Sequence, residues 1–226
     1  TIATGVTTGY DWLVPESLAA QIPNAASGKG TLTCETYSGS TYIGTKSVTF
    51  TASVPGSMKP TVLSGWAAVS YDNSGTAAEN MAAWVQGYSK AKATFDASKV
   101  TCRQGAGISK FFITYLGKTT AGNPCRTETI STIGATVRCT VTDSRGLTAW
   151  EDFSIALLEY APPALVGADL FRSDGEGAAA DGGAHIAGVA RARYSALGGL
   201  NGVTLKGYWK SVGGGYGAGE TLTAVS

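Results

Sequence analysis

The sequence has 226 residues, of which 17 are Lys or Arg and 16 are Asp or Glu, so that 15% of the chain is charged. Soluble domains carry ~25%, and the deficit excludes a long charged helix, a coiled coil or an acidic tail. The net charge of +1 gives no electrostatic reason to expect nucleic acid or an anionic membrane as a partner.

The first predicted element is a short connecting turn of helix at 15–22, where Leu18 and Ile22 lie four positions apart. Two strands follow, at 31–36 and 48–52, and the second ends before Pro55. No apolar run approaches the ~18 residues of a membrane helix, so we expect no membrane insertion. The sequence begins with Thr1 rather than Met, and we expect it to be part of a longer chain.

Strict alternation of apolar and polar residues indicates strands in the centre of the chain. These predicted strands lie at 62–71, 91–95, 111–115, near Cys125, and at 127–130, 136–142 and 153–157. Between the last two, Asp143-Ser144-Arg145-Gly146 offers the Asp and Gly of a hairpin turn. We expect six apolar residues of this hairpin to share one core: Val137, Cys139, Val141, Phe153, Ile155 and Leu157.

The strand count predicts the fold class. About seven strands in ~100 residues, with turn signals every ~8–12 residues, are typical of an antiparallel β-sandwich of the immunoglobulin or fibronectin type III kind. The Cys-Trp-Cys pattern of immunoglobulin domains is absent, which favours the fibronectin-like variant. We therefore predict an all-β protein.

Short segments of the chain recur at nearly one spacing. At an offset of 105, Leu32 and Cys34 align with Val137 and Cys139. At the same offset, Val48, Phe50 and Ala52 align with Phe153, Ile155 and Leu157. At an offset of 101, Val85 aligns with Ile186, and Lys90-Ala91-Lys92 aligns with Arg191-Ala192-Arg193. At an offset of 103, residues 60–63 align with residues 163–166. Their agreement predicts a repeating unit of about 103 residues.

The prolines near the ends of these matches suggest the domain boundaries. We expect residues 60–162 to form one complete sandwich. Residues 1–59 are then the C-terminal part of a preceding sandwich repeat, and residues 163–226 are the N-terminal part of a third. The sequence therefore predicts tandem sandwiches.

Candidate chemical groups are sparse. The run Gly213–Gly219 lacks the strand, helix and distant acid of a dinucleotide site, so we interpret it as a loop. The acids Asp169, Asp174, Glu176 and Asp181 lack the spacing of a calcium loop and are interpreted as turn residues. The single histidine, His185, has no ligand or triad partner at a suitable spacing. We expect no metal, no cofactor and no catalytic residue.

The four cysteines are expected to be free thiols. Cys34 and Cys139 occupy equivalent inward positions of two repeats, which predicts two small buried residues in separate cores. Cys102 and Cys125 lie in one unit, and a bridge between them stays an open alternative.

Several stretches resemble the tail-associated minor structural proteins of siphophages that infect Gram-positive bacteria. The resemblance is carried by 17–25, by 36–46 with 49–55, by Thr140-Val141-Thr142-Asp143-Ser144-Arg145-Gly146 and by 171–175. It implies a virion or prophage tail component, assembled in the bacterial cytoplasm, which is built of repeated sandwiches and has no assigned enzymatic activity. Other tail or virion proteins are the implied partners. The chain itself is a further expected partner on separate grounds, because the partial sandwiches at 1–59 and 163–226 would leave sheet edges and apolar faces open.

Two alternative functions remain. The aromatic residues Trp66, Trp84, Tyr88, Trp209 and Tyr216 suggest a carbohydrate-binding or cell-surface adhesion module, because exposed rings can stack on sugar faces. The strongest candidates for contact with a host glycan are Trp209 and Tyr216. An enzyme is the third interpretation, but no pair of carboxylates stands out as general acid and base.

Overall fold

The computed structural model describes residues 1–208, 210 and 213–221. The chain divides into two compact units. Unit 1 comprises Thr1–Asp72, Lys90–Ile130 and Ala135–Ile155, and unit 2 comprises Asn73–Ser89, Ser131–Gly134 and the described part of Ala156–Ser226. The three-part division at the prolines stays a prediction.

The described elements are mainly strands, which confirms the all-β class. In chain order they are β1 (Ser27–Ser38), β2 (Thr41–Ser53), β3 (Thr61–Val62), β4 (Ala67–Asp72), β5 (Lys90–Phe95), β6 (Val100–Thr101), β7 (Ile108–Tyr115), β8 (Lys118–Ala121), β9 (Cys125–Thr129), β10 (Thr136–Asp143), β11 (Thr148–Ser154), β12 (Ala164–Ser173), β13 (His185–Arg193), β14 (Lys206–Gly207) and β15 (Glu220–Thr221). Short 3₁₀ helices lie at Glu16–Gln21, Gly56–Met58, Ala97–Lys99 and Leu197–Gly199. Among the described residues no helix has the length and apolarity to cross a membrane.

The centre of unit 1 consists of two antiparallel sheets and a small pair of strands. One sheet has the order β11-β10-β7-β8 and the other β4-β5-β9, while β3 pairs with β6. The two sheets share a core, because the ring of Phe95 on β5 stacks on that of Phe111 on β7 with 4.8 Å between centroids. Trp66, which directly precedes β4, packs against both rings.

Alternation places the predicted residues in this core. On β10, Val137, Cys139 and Val141 are fully buried, as the period-two pattern predicts. On β5, Ala91 and Ala93 are also fully buried. The predicted strands at 91–95, 111–115 and 136–142 are therefore confirmed within one or a few residues at their ends.

The last strand of this core begins earlier than predicted. The turn after β10 pairs Thr142 with Thr148, so β11 starts at Thr148 and ends at Ser154 instead of occupying 153–157. Ile155 is buried as expected, but Phe153 and Leu157 are only half-buried. The prediction that all six residues are buried together is therefore wrong for these two.

Three other predicted segments differ in detail. The predicted strand at 62–71 is broken into β3 and β4 by a turn in which the N–H of Trp66 donates to the carbonyl of Leu63. The segments near Cys125 and at 127–130 form one strand, β9. Strand β8 was not predicted, because all four of its residues are exposed and no apolar alternation marks it.

The first two strands form a separate hairpin in unit 1, preceded by the predicted turn of helix at Glu16–Gln21. In this hairpin Leu32 lies opposite Val48. In the β10–β11 hairpin, Val137 lies opposite Phe153. Both members of the pair are shifted by 105 positions, so the repeat in the sequence corresponds to two hairpins of one register.

Unit 2 contains the β12–β13 hairpin and the short β14–β15 pair. Its small core consists of Ala78, Val85 and Leu197, with Tyr88 and Tyr160 among the half-buried residues packed around it.

The buried side chain of Asn73 organises the loop that follows β4 in the sequence. Its Nδ2 donates to the carbonyls of Met81 and Ala83, and its Oδ1 accepts from Ser89 Oγ. These bonds satisfy an amide that would be costly to bury without partners.

Candidate interaction site

The turn between β10 and β11 is held by the side chain of Asp143. Its Oδ1 accepts hydrogen bonds from the backbone N–H groups of Arg145 (3.0 Å) and Leu147 (2.8 Å). Gly146 supplies the left-handed residue of the turn, with φ of 89°. The hairpin turn predicted at 143–146 is thus confirmed, and its geometry places Ser144 and Arg145 at the tip.

Arg145 lies at the tip but is buried, with 5% of its surface exposed. Its guanidinium donates to four backbone carbonyls: those of Ile22 (3.1 Å), Ala19 (2.9 Å), Arg103 (2.8 Å) and Gln104. Ala19 belongs to the first 3₁₀ helix and Ile22 follows its C-terminal end, and the carbonyl of Ala19 also accepts the backbone N–H of Ile22 at 3.0 Å. The arginine therefore joins the segment before β1 to the loop before β7.

Ser144 forms a second part of the same joint. Its hydroxyl donates to the carbonyl of Pro23 and accepts from the N–H of Gly107 at 3.1 Å. An ion pair of 2.9 Å between Arg103 and Glu16 lies at the edge, where exposure limits its contribution. We call the contacts of Ser144, Arg145 and this ion pair the 145 joint.

The first 3₁₀ helix and the β1–β2 hairpin enclose an apolar groove of about 400 Å³. Its apolar walls include Leu18, Ile22, Phe50 and Met58. The ring of Phe50 lies over Gly30, where a Cβ atom would collide with it. The charged residues that line the groove are Glu16 and Lys29, and with so few polar groups the groove is suited to apolar contact.

One face of the β1–β2 hairpin is apolar and exposed. Leu32, Val48 and Phe50 lie on this face, because side chains alternate along a strand, and they are 43%, 61% and 39% exposed. The opposite face carries residues such as Thr33 and Ser47, whose hydroxyls are 2.8 Å apart. We call the face that carries Leu32, Val48 and Phe50 the β1–β2 apolar face.

The predicted glycan-contact residues are only partly placed. Trp209 lies outside the described residues. Tyr216 is 68% exposed, and the Lys210 ammonium lies 4.9 Å from the centroid of its ring. The exposure of Tyr216 is compatible with contact to a ligand.

The other aromatic candidates do not form an exposed platform. Trp66 is 1% exposed, and its Nε1 donates to Glu151 Oε2 at 2.8 Å, so the suggestion that it binds sugar is wrong. Trp84 and Tyr88 are half-buried, and the ring of Tyr88 packs edge-on against that of Tyr160 with 5.1 Å between centroids. Their apolar surface contributes to packing.

The cysteines are all free thiols in the structure, including Cys102 and Cys125. Cys139 is buried as expected, and burial raises the pKa of its thiol to about 12. Cys34 is exposed, so the prediction that it is a buried residue is wrong. It occupies the equivalent strand position, but within the described residues no second sheet covers it as one covers Cys139.

The remaining candidates lie on turns and strand surfaces. Asp174 stabilises a turn by accepting from the N–H groups of Glu176 and Ala178, as expected of an Asp-Gly turn. His185 is exposed at the start of β13. Within the described part of the chain no three His, Cys, Asp or Glu side chains cluster as metal ligands. Asp169 lies on β12, and Asp181 is exposed in the loop before β13.

The role of Arg145 was not predicted from the sequence. The Asp143–Gly146 motif indicated the turn, and the turn is present. The partners of the arginine are carbonyl oxygens 41 to 126 positions away, and any residue type can supply a carbonyl. Only the burial of a charged side chain reveals the joint.

Comparison with known protein families places the chain in a viral group. Residues 1–177 match the family described as "Siphovirus protein of unknown function (DUF859)". The chain belongs to this siphovirus family. The match covers all of unit 1, including the 145 joint and the β1–β2 apolar face. No curated protein matches the chain. The resemblance to siphophage proteins is therefore confirmed at the level of a siphovirus protein.

Proposed function

We propose that this siphovirus protein is a non-enzymatic structural component of the phage tail, in which β-sheet modules space and connect other tail proteins. The observation that carries the proposal is the 145 joint. A buried arginine that binds four carbonyls serves to fix backbone segments, because its donors are all directed at main-chain acceptors of the same unit.

The joint suits a spacer for a physical reason. A segment such as 16–23, attached only by its chain ends, would let the preceding and following elements move independently. Charge-assisted hydrogen bonds are stronger than neutral ones. Two of the four hold this segment, at Ala19 and Ile22, and the other two hold the loop before β7, so together they restrict that movement. A spacer needs this restriction, because it must keep a fixed separation between the proteins it connects.

We further propose that the centre of unit 1 is a fibronectin type III-like sandwich. Its seven main strands in chain order are β4, β5, β7, β8, β9, β10 and β11. The first, second and fifth of these, which are β4, β5 and β9, form one sheet. The third, fourth, sixth and seventh form the other. This division into sheets of three and four antiparallel strands with a shared core supports the assignment.

The proposed partners are other tail or virion proteins and copies of the chain itself. Packing between β-sheet surfaces would supply the affinity, with an apolar centre and a polar rim. The exposed apolar face of β1–β2 is the strongest support for such contacts. We propose that the protein is assembled in the bacterial cytoplasm and then resides in the tail.

A second candidate function is contact with a host-surface glycan. It is favoured by the exposed ring of Tyr216, together with Trp209 nearby in the sequence. A glycan array decides between the two. Hits that disappear in both Trp209→Ala and Tyr216→Ala but persist in Tyr42→Ala, an exposed tyrosine of β2, would support the adhesion role.

Immunogold electron microscopy of purified virions tests the proposed function. Antibodies raised against the chain are expected to label the tail of the intact particle or of particles treated to expose internal tail components. A deletion of the gene provides the control for specific labelling. Labelling confined to the head, or particles without any of the protein, would contradict the proposal.

A further inference from the structure

The β1–β2 apolar face has a covered counterpart in the same chain. Through the 105-residue offset, Leu32 and Phe50 correspond to Val137 and Ile155, which are 0% and 5% exposed. Leu32 and Phe50 themselves are 43% and 39% exposed. Equivalent positions in one register thus differ mainly in whether a second sheet covers them.

The central sheets show what kind of element covers this face. There the sheet β4-β5-β9 lies over the β10–β11 hairpin. Trp66, next to β4, donates to Glu151 on β11, and Cys125 on β9 and Cys139 on β10 are both buried. On β5, Ala91 and Ala93 are fully buried. An antiparallel pair with small and apolar inward residues is therefore the complementary surface.

The β12–β13 hairpin carries such a surface. Its Arg191-Ala192-Arg193 repeats the Lys90-Ala91-Lys92 of β5, and Ile186 corresponds to the buried Val85 at the same offset. Positions 186, 188, 190 and 192 alternate onto one face of β13, and Leu170 of β12 lies opposite Gly188 on that face.

This second face is also exposed. Leu170 is 82% exposed and Ile186 78%. Through the 101-residue offset, Ala192 on this face corresponds to Ala91 on the inward side of β5. We call this second face the β12–β13 apolar face. Large apolar side chains with this exposure on a strand pair are typical of an interaction surface.

We propose that the β12–β13 apolar face of one copy of this chain covers the β1–β2 apolar face of a second copy, in a head-to-tail contact that reproduces the sheet packing of the central module. The two faces of one contact come from different parts of the chain, so the copy that contributes its β12–β13 face keeps its β1–β2 face free, and the other copy keeps its β12–β13 face free. Such heterologous contacts build rings or filaments. The inference rests on the proposed structural role and names one of its partners.

Sedimentation equilibrium of the full chain across a wide concentration series tests the contact. The expected average mass rises with concentration from the 23.0 kDa of one chain to multiples of it. The Val48→Glu chain and the Ile186→Glu chain should each have a lower average mass than the wild-type chain at the same concentration. Thr49→Glu and His185→Glu are the controls, because they change exposed neighbouring residues on the opposite faces of the two hairpins. Their average mass should rise with concentration as that of the wild-type chain does.

Mixing the two face variants tests the head-to-tail geometry. The Val48→Glu chain keeps an intact β12–β13 face, and the Ile186→Glu chain keeps an intact β1–β2 face. An equimolar mixture should therefore form a species of two chains and nothing larger. If two copies instead paired symmetrically through β1–β2 alone, the Ile186→Glu chain would be fully dimeric by itself, and mixing it with the Val48→Glu chain would form no additional complex. That result would overturn the proposal.

Cys34 provides an independent readout, because it lies on the β1–β2 apolar face. Its alkylation rate in the wild-type chain should fall as the concentration rises, and it should stay constant in the Val48→Glu chain. A wild-type chain that is monomeric at every concentration, with a constant rate at Cys34, would overturn the self-contact. That result would leave the tail location, which immunogold labelling tests separately, unaffected.

Discussion

The guanidinium of Arg145 donates a hydrogen bond of 2.9 Å to the carbonyl oxygen of Ala19, 126 positions earlier in the chain. The bond joins the tip of the β10–β11 hairpin to the helix that precedes β1. Because the arginine is buried and binds three further carbonyls, the stability of this region should depend on its full set of donors.

Replacing Arg145 with Ala should lower the free energy of unfolding by about 2–4 kcal/mol, since four partly buried carbonyls lose a charged donor. Arg145→Lys should recover only part of this loss, because an ammonium has three donors and no planar fork. Chemical denaturation measures the change, and limited proteolysis at 15–23 should become faster. Arg138→Ala is the control, as Arg138 pairs with Asp152 on the surface, where the loss should stay below about 1 kcal/mol. Equal effects of the two alanine variants would contradict the joint.

The corrected end of β11 leads to a second prediction. Ile155 is 5% exposed, so Ile155→Ala should cost about 2–5 kcal/mol by leaving a cavity. Leu157 lies past the strand and is half-buried, so Leu157→Ala should cost clearly less. Thermal unfolding of both variants measures the difference. A larger loss for Leu157→Ala would favour the strand position predicted from the sequence.

Trp66 should be a stabilising residue of the core. Trp66→Phe removes the indole N–H that donates to Glu151 and leaves space between the two sheets, for an expected loss of about 1–3 kcal/mol. Trp150→Phe is the matched control, because Trp150 is 54% exposed on β11. If Trp66→Phe unfolds at the same denaturant concentration as the control, the packing of Trp66 between the sheets is not important for stability.

The cysteines should differ strongly in reactivity toward a maleimide. At a concentration where the chain is monomeric, exposed Cys34 should react first, because the thiolate is the reactive form and burial holds the pKa of Cys139 at about 12. Burial also raises the pKa of Cys125 and Cys102. Intact mass should show one rapid addition in native protein and four in denaturant. Fewer than four in denaturant without reductant would indicate a disulfide.

The same thiols give a pH dependence with a definite sign. The folded-state pKa of Cys139 lies above that of an unfolded thiol, which is about 8.5. The contribution of this group to the free energy of unfolding is therefore fully present below about pH 8.5. It is lost as the pH rises toward 12, because the thiol of the unfolded chain ionises first. Cys139→Ala should show a shallower decline of stability above pH 9 than the wild type. An identical decline would mean that Cys139 is not the group responsible.

Much of the fold follows from local patterns, and the exceptions have physical causes. Strands β5, β7 and β10 were predicted because apolar residues that pack in the core recur at every second position along each of them. Strand β8 has no such signal, since both of its faces are exposed.

Burial was harder to predict than strand position. The repeat correctly placed Cys34 in the strand position equivalent to Cys139, and the shared register of the two hairpins confirms this equivalence. Whether a strand position is buried depends on the sheet opposite, which the local sequence does not specify. The 145 joint was not predicted for a similar reason, because Arg145 binds carbonyls and no particular side chain marks its partners.

The central claim, that the chain is a structural part of the siphophage tail, is tested most directly by quantitative mass spectrometry of tails separated from the heads of purified virions. Peptides of the chain should copurify with the tail fraction at a constant ratio to known tail proteins and be depleted from heads. If the protein is produced during infection but absent from the tail fraction, the account of its function is contradicted.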